Sequence, residues 1–506
     1  MPAKTLMVQG TGSSVGKSIL VTALCRIFKQ QGLRVAPFKA QNMSLNSFVT
    51  AAGEEIGRAQ AVQAEAAGVL PSVEMNPVLL KPEADNCSQI IIRGKPVTRT
   101  SAAEFLKLKS MLWSAITESI EGLRSSFDLV VIEGAGSPAE INLKDRDLVN
   151  MKVALHCRSP VLLAADIDRG GIFASLVGTM ELLESDERAL VKGFVINKFR
   201  GDISLLIAGL DWLEKRTGVP VAGVIPYYRD IDIAEEDSIT IEKRRAMRLR
   251  SDFDLDIAVI ALPHISNFDE FDPLERESRV RLRYVEERDD LGDPDLIILP
   301  GTKTTVADLN FLRTTARDQE IIRQVSRGTP IIGICGGYQM LGETIYDPEE
   351  IESATPITPG LALLPVASRF SPVKSTHQVK ARTMIARGIL AKAKHAPLSG
   401  YEIHMGQTES PTAGRPFSIE QRSGKSCSDR DGYISKDGHV LGTYIHGVFQ
   451  NDTWRRAVLS ELAERKGKTL SAMTSSFSAE EQYDRLAAHV RASLNMDLIL
   501  RLVGPG

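Results

Sequence analysis

The chain has 506 residues, 43% hydrophobic and 25% charged, the make-up of a globular protein too long for one hydrophobic core. Lys and Arg total 61 against 64 Asp and Glu, a net charge of −3; that balance excludes a mainly electrostatic nucleic-acid binder but allows a local basic pocket. No apolar run reaches the roughly 18–20 residues that cross a bilayer, and the five scattered cysteines (Cys25, Cys87, Cys157, Cys335, Cys427) form no CxxC pair, so no membrane span, disulfide framework or zinc knuckle is expected.

The N-terminus runs into a strand pattern without a charged and apolar leader, and a reducing cytoplasm is the expected compartment. TLMVQ (5–9) is that strand. GTGSSVGKS (10–18) follows it and opens a helical stretch over 17–31, the setting a phosphate-binding loop requires. Gly12 and Gly16 let the backbone curl so that N–H groups face phosphate; Lys17 would contact the β- and γ-phosphates and Ser18 would ligate Mg²⁺. The strict spacing would put a glycine at Thr11, which is flanked instead by Gly10 and Gly12. PFKAQN (37–42) ends a second strand and offers Lys39 to the same site, and Glu55 in GEEIGRAQ (53–60) is a further candidate for Mg²⁺.

A helical pattern over 101–124 leads to the strand DLVVIEG (128–134). Glu133 stands just past its C-terminal end, where open α/β sheets bind ligands, and suits a Mg²⁺ ligand or water-orienting carboxylate. INLKDRDLVNM (141–151) carries Asp145 and Asp147, which either position a nucleophile or belong to a solvated loop. PVLLAAD (160–166) is another strand, and ADIDRGGIFAS (165–175) adds Asp166, Asp168 and Arg169 as ligase candidates or a turn with a helix cap. GFVINK (193–198) ends in Asn197, placed to read an adenine edge or simply to close a strand. PVAGVIP (220–226) is the last strand of this series.

Residues 227–253 turn acidic and then basic and read as a linker with a solvated helix. A second strand series follows at DIAVIALP (256–263), VRLRYVE (280–286), DLIILPG (295–301) and PIIGICGG (330–337). In the last of these an apolar strand, Cys335, two glycines and a helix make a nucleophile elbow. The N–H of Gly336 can supply half of an oxyanion hole, and LPGTK (299–303) the other half through Gly301 or Thr302. His446, at the end of the strand pattern GTYIHGVF (442–449), is the candidate base, with His404 in GYEIHMG (400–406) its main competitor. The expected fold is α/β: a doubly wound, mostly parallel P-loop domain (1–226), the linker, a second doubly wound domain (254–454) and a helical extension (455–506) packed on the second domain.

These residues together resemble a known family. GICGGYQMLG with His446 resembles a class I glutamine amidotransferase domain, and GTGSSVGKS with Lys39 and EGAG resembles the ATP-dependent ligase fold of dethiobiotin synthetase, whose loop is longer than the strict pattern. FKAQNMSLNS (38–47), MNPVLLKP (75–82), EGAGSPAEINLKDRD (133–147), INKFRGD (196–202) and LPHISNFDEFDPL (262–274) look like the cobyric acid synthase family, and the likeness runs over nearly the whole chain. The resemblance implies an ATP- and Mg²⁺-dependent amidoligase that takes nitrogen from glutamine. It implies as substrate a corrinoid, adenosylcobyrinic acid a,c-diamide, amidated at its b, d, e and g carboxylates through a Cys335 thioester, ammonia transfer and acyl phosphates. Cys335 would be the nucleophile and His446 the base. No nucleic acid or membrane partner is implied, and a homo-oligomer is left open.

One departure matters. Many class I domains carry a Glu two residues after the base, where this chain has Val448; either Cys335 and His446 act as a dyad or another group orients the ring. The neighbouring readings are a cobyrinic acid a,c-diamide synthase, an amidase of cell-wall precursors, and a partitioning-type ATPase switch. That last group has a second lysine five residues before the loop lysine, where this chain has Gly12.

Overall fold

A strand covered by helices on both faces needs an unbroken apolar run, and Lys4–Gly10, Leu129–Glu133 and Val161–Asp166 supply it, buried almost from end to end. In the computed structural model, which describes residues 2–84, 87–101, 105–228, 252–470 and 478–504, these strands lie in the middle of a six-stranded parallel sheet. Its order is Val221–Pro226, Val191–Phe199, Val161–Asp166, Lys4–Gly10, Leu129–Glu133, Val35–Phe38. The chain leaves Lys4–Gly10 toward one edge and later returns to fill the other, so ligand-binding loops gather at the C-terminal ends beside it. The helix Lys17–Gln30 presents Leu20, Leu24, Ile27 and Phe28, spaced along one face, to a core that contains Leu6, Val8 and Val131.

The second sheet runs Val280–Val285, Leu255–Ile260, Leu296–Leu299, Ile331–Ile334, Val440–Thr443 in parallel, closed by the antiparallel Tyr433–Ile434. Both sheets match the α/β class expected. A long hairpin, Ala367–Thr383 against Pro397–Glu409, adds a further sheet beyond the expected parallel strands. Most of its residues are polar and few are fully buried, so no apolar run announces it.

The chain divides into two units. One comprises Met1–Ser44, Glu55–Glu236 and Phe477–Gly506; the other comprises Leu45–Glu54 and Asp237–Ser476. The expected continuous first domain is therefore interrupted: within the second unit the Ser47 N–H donates to Asn267 Oδ1 at 2.9 Å, and Gln378 donates to the Val49 carbonyl. The expected helix over 101–124 spans Lys109–Ser126, because the β-branched run KPVTRTS forms the strand Lys95–Ser101 before it. Residues 229–251, the bulk of the expected linker and its solvated helix, lie outside the described residues.

The tail also departs from expectation. Asp452–Arg465 does join the second unit, burying Trp454, Val458, Leu459 and Leu462. Ala479–Ser493, however, packs in the first unit: Tyr483, Leu486, Ala487 and Val490 share a core with Leu24 and Phe28. The nearly buried Arg26 meets Glu480 and Asp484, each at 2.7 Å. Proximity in sequence favoured the nearer domain, whereas the apolar stripe of this helix matches the face of Lys17–Gln30. Leu486→Ala should lower unfolding stability by about 2–4 kcal/mol through lost burial and a residual cavity. A denaturant midpoint unchanged from the parent would contradict this packing.

Candidate active sites

In the first unit the P-loop curls around Lys17. Gly16 has φ 98°, a left-handed conformation that favours glycine, and a Cβ there would fall 2.2 Å from Asn197 Nδ2. Lys17 Nζ donates to the carbonyls of Gly12 at 2.8 Å and Gly136 at 3.2 Å, which ties the loop to the EGAG turn. Glu133 is the hub. One carboxylate oxygen accepts from Ser18 Oγ at 2.8 Å and Lys39 Nζ at 2.9 Å, and the other accepts from Gln63 Nε2 at 2.5 Å. Burial alone would raise the Glu133 pKa; the Lys39 charge and the bonds from Lys39, Gln63 and Ser18 outweigh it and hold the carboxyl ionised, below its ordinary range.

Among the described residues no group of three or more His, Cys, Asp or Glu could hold a metal by itself. A Mg²⁺ that arrives with a nucleotide needs only one or two protein ligands, phosphate and water filling the rest. Ser18 and Glu133 fit that requirement, and the buried Gln63 Oε1 next to them has no hydrogen-bond partner. Glu55 pairs with Lys81 at 2.7 Å, both side chains buried, so its carboxylate already has a counter-charge.

The other acidic candidates separate by role. Asp166 accepts from Lys198 Nζ at 2.8 Å, and the same ammonium reaches the Ser14 carbonyl at 2.6 Å, so the pair braces the P-loop. Asp168 meets Arg200 at 3.1 Å on the surface, and Arg169 stands 3.8 Å from Asp166. Asp147 is occupied by the N–H groups of Val149 and Asn150, both at 2.9 Å, and Asp145 is exposed. Asp147 thereby fixes Asn150, whose side chain clamps the Ala135 backbone of EGAG at 2.7 and 3.0 Å. Asn197 turns its amide onto the Val15 carbonyl at 2.8 Å, so here it holds the P-loop backbone.

In the second unit the strand Ile331–Ile334 delivers Cys335 in a strained conformation, φ 52° and ψ −107°, directly before the helix Gly336–Leu341. The turn closes only because its glycines lack side chains: a Cβ on Gly337 would lie 2.0 Å from the Leu299 carbonyl oxygen. Gly336 approaches the 301–303 loop so closely that its Cβ would be 3.2 Å from the Thr302 nitrogen. Ser266 N–H donates to the Gly301 carbonyl at 2.9 Å and Thr302 Oγ1 to the His264 carbonyl at 3.1 Å, which sews the 301–303 loop to 264–266. Asp308 accepts from both Thr302 Oγ1 and His264 Nδ1 and locks the arrangement.

His446 is buried beside this elbow, and a Cβ on Gly301 would sit 2.8 Å from its Cε1. Its Nδ1 lies 3.1 Å from Glu270 Oε1, and Tyr401 stacks on the ring with centroids 5.1 Å apart. Burial would lower the imidazole pKa, but the Glu270 charge and the Cys335 thiol raise it to about 10. His404 is in the opposite state: it stacks on Tyr444 at 3.9 Å, its Nδ1 lies 2.6 Å from the Gly406 carbonyl oxygen, and burial pushes its pKa down to about 4.

Residues 256–454 match the CobB/CobQ-like glutamine amidotransferase domain, and residues 6–241 match the CobQ/CobB/MinD/ParA nucleotide binding domain. The chain is 53% identical over 516 residues to the cobyric acid synthase of Sorangium cellulosum, covering 100% of this chain and 99% of that one. It is 50% identical over 504 residues to that of Dehalococcoides mccartyi, at 100% and 99% coverage. This chain belongs to the cobyric acid synthase family. A third member, from Moorella thermoacetica, is 49% identical over 506 residues, at 99% and 98% coverage. Membership makes the protein an amidoligase enzyme with a nucleotide-binding and a glutamine amidotransferase domain, in the chain order expected. Among the described residues no helix is long and apolar enough to cross a membrane.

Gln63, Asn150, Glu270 and Tyr401 were not among the sequence candidates. Each reaches its site through the fold, with no local spacing to mark it.

Proposed function

We propose that this enzyme amidates the b, d, e and g carboxylates of adenosylcobyrinic acid a,c-diamide, in the cytoplasm, using glutamine as nitrogen donor and ATP as activator. The carrying observation is that one chain of this family bears both a strained Cys335 elbow beside His446 and a P-loop with Lys17, Ser18, Lys39 and Glu133.

In the second unit Cys335 gives its proton to His446, and the resulting thiolate attacks the glutamine amide carbon. The N–H of Gly336 and that of Gly301 or Thr302 would stabilise the oxyanion. His446 then gives its proton to the leaving ammonia, and water, deprotonated by the same ring, cleaves the thioester to glutamate and free thiol. In the first unit a corrinoid carboxylate attacks the γ-phosphorus of ATP, giving an acyl phosphate and ADP. Ammonia displaces inorganic phosphate from that acyl carbon and leaves an amide. Bound Mg²⁺ would offset charge on the phosphates, held by Ser18 and Glu133, while Lys17 and Lys39 stabilise the transferring phosphoryl group.

The product decides between this and the nearest alternatives. With Mg-ATP, glutamine and the a,c-diamide, mass spectrometry should reveal four added amides. Unchanged a,c-diamide, with cobyrinic acid converted to a diamide instead, would assign the enzyme to the earlier amidation.

A further inference from the structure

Glu270 lies 176 residues before His446 in the chain, on the short 3-10 turn Phe268–Phe271. It enters that turn from Asn267 in the left-handed conformation, φ 55°. Its side chain is 1% exposed, as is that of His446. One carboxylate oxygen lies 3.1 Å from His446 Nδ1, and the other accepts the Gly447 N–H at 3.0 Å. The carboxylate thus grips both the ring and the peptide that follows it. The second ring nitrogen, Nε2, is buried and has no hydrogen-bond partner.

We propose that Glu270 is the third member of the glutaminase site, a positioning residue that fixes His446 with its proton on Nδ1 and Nε2 directed to the thiol. It takes the place left vacant by Val448, supplied by a different element of the fold. This inference rests on the thiol glutaminase reading above. A neutral imidazole has one N–H and one acceptor nitrogen, and a carboxylate at Nδ1 selects the tautomer in which Nε2 accepts. When His446 takes the Cys335 proton, the imidazolium gains its counter-charge from Glu270 without any reorganisation. The other groups on the ring are Tyr401, stacked on its face, and His404, whose charge would oppose the imidazolium and which is held neutral.

The test is glutamine hydrolysis together with the pH dependence of Cys335 alkylation by iodoacetamide, with Cys335→Ala as the blank. Glu270→Gln removes the charge while keeping the size. It should lower kcat by up to about 10⁴-fold, the loss when a triad histidine is held in the wrong tautomer, with KM changed little. It should also move the alkylation inflection to higher pH, because a less stabilised imidazolium gives a less stabilised thiolate. Glu270→Asp should recover part of the inflection shift, and it carries the same test should Glu270→Gln be insoluble. Wild-type kcat and inflection in these variants, with Cys335→Ala inactive, would overturn the role of Glu270 alone. Full glutaminase activity in Cys335→Ala would overturn the thiol reading beneath it.

Discussion

Cys335→Ala should abolish glutamine-driven amidation, by about 10⁴-fold or more, while amidation should continue when ammonium salts are supplied at alkaline pH. The size follows from removing the atom that bonds the substrate carbon, since the residual rate of such variants comes only from binding and oxyanion contacts. The two other buried thiols cannot substitute. Cys25 and Cys157 are core residues whose pKa burial drives upward, that of Cys157 to about 12, so neither offers thiolate near neutrality. Steady-state rates with each nitrogen donor make the check. Equal loss with both donors would mean that the sulfur serves the ligase step as well, against the proposed division.

Glu133→Gln should show the opposite signature, a loss of amidation with glutamine and ammonia alike. Its carboxylate gathers Lys39, Ser18 and Gln63, the groups best placed to meet Mg²⁺ and the phosphates. Losing one such electrostatic contact should slow ATP-dependent amidation by about 10²- to 10³-fold. The buried Lys39 ammonium also loses its counter-charge, at a stability cost of about 3–5 kcal/mol. Because the folded pKa of Glu133 is depressed, its contribution is present above the unfolded carboxylate value and disappears as pH falls through the folded one. Denaturant midpoints of parent and variant should therefore differ most near neutrality and converge in acid. A constant gap across that range would show that the ion pair is not the source.

What could be read from the residues alone was whatever chemistry is written locally. The P-loop, Glu133 after its strand and the Cys335 elbow each depend on neighbours within a few positions, and strand–turn–helix order places them before any contact is known. His446 was legible because strand ends converge on one edge of a parallel sheet. Glu270 was not, although NFDEFDPL stood out as a block, because no spacing rule links an acid to a histidine on another element. Glu55 illustrates the converse. A carboxylate among polar residues suggested a metal ligand, and only the fold shows Lys81 already paired with it. The tail misled for a related reason: a polar helix carries its apolar stripe in its pattern, but not the identity of the surface that receives it.

The ten residues Leu45–Glu54 leave one unit and return to it, serving the other in between. No single scission of this polypeptide therefore yields two self-sufficient pieces. A fragment beginning at the linker would lack Ser47 and with it the donor that meets the Asn267 side chain, three positions from Glu270. Expressing either unit by itself would therefore take a rejoined chain rather than a simple truncation.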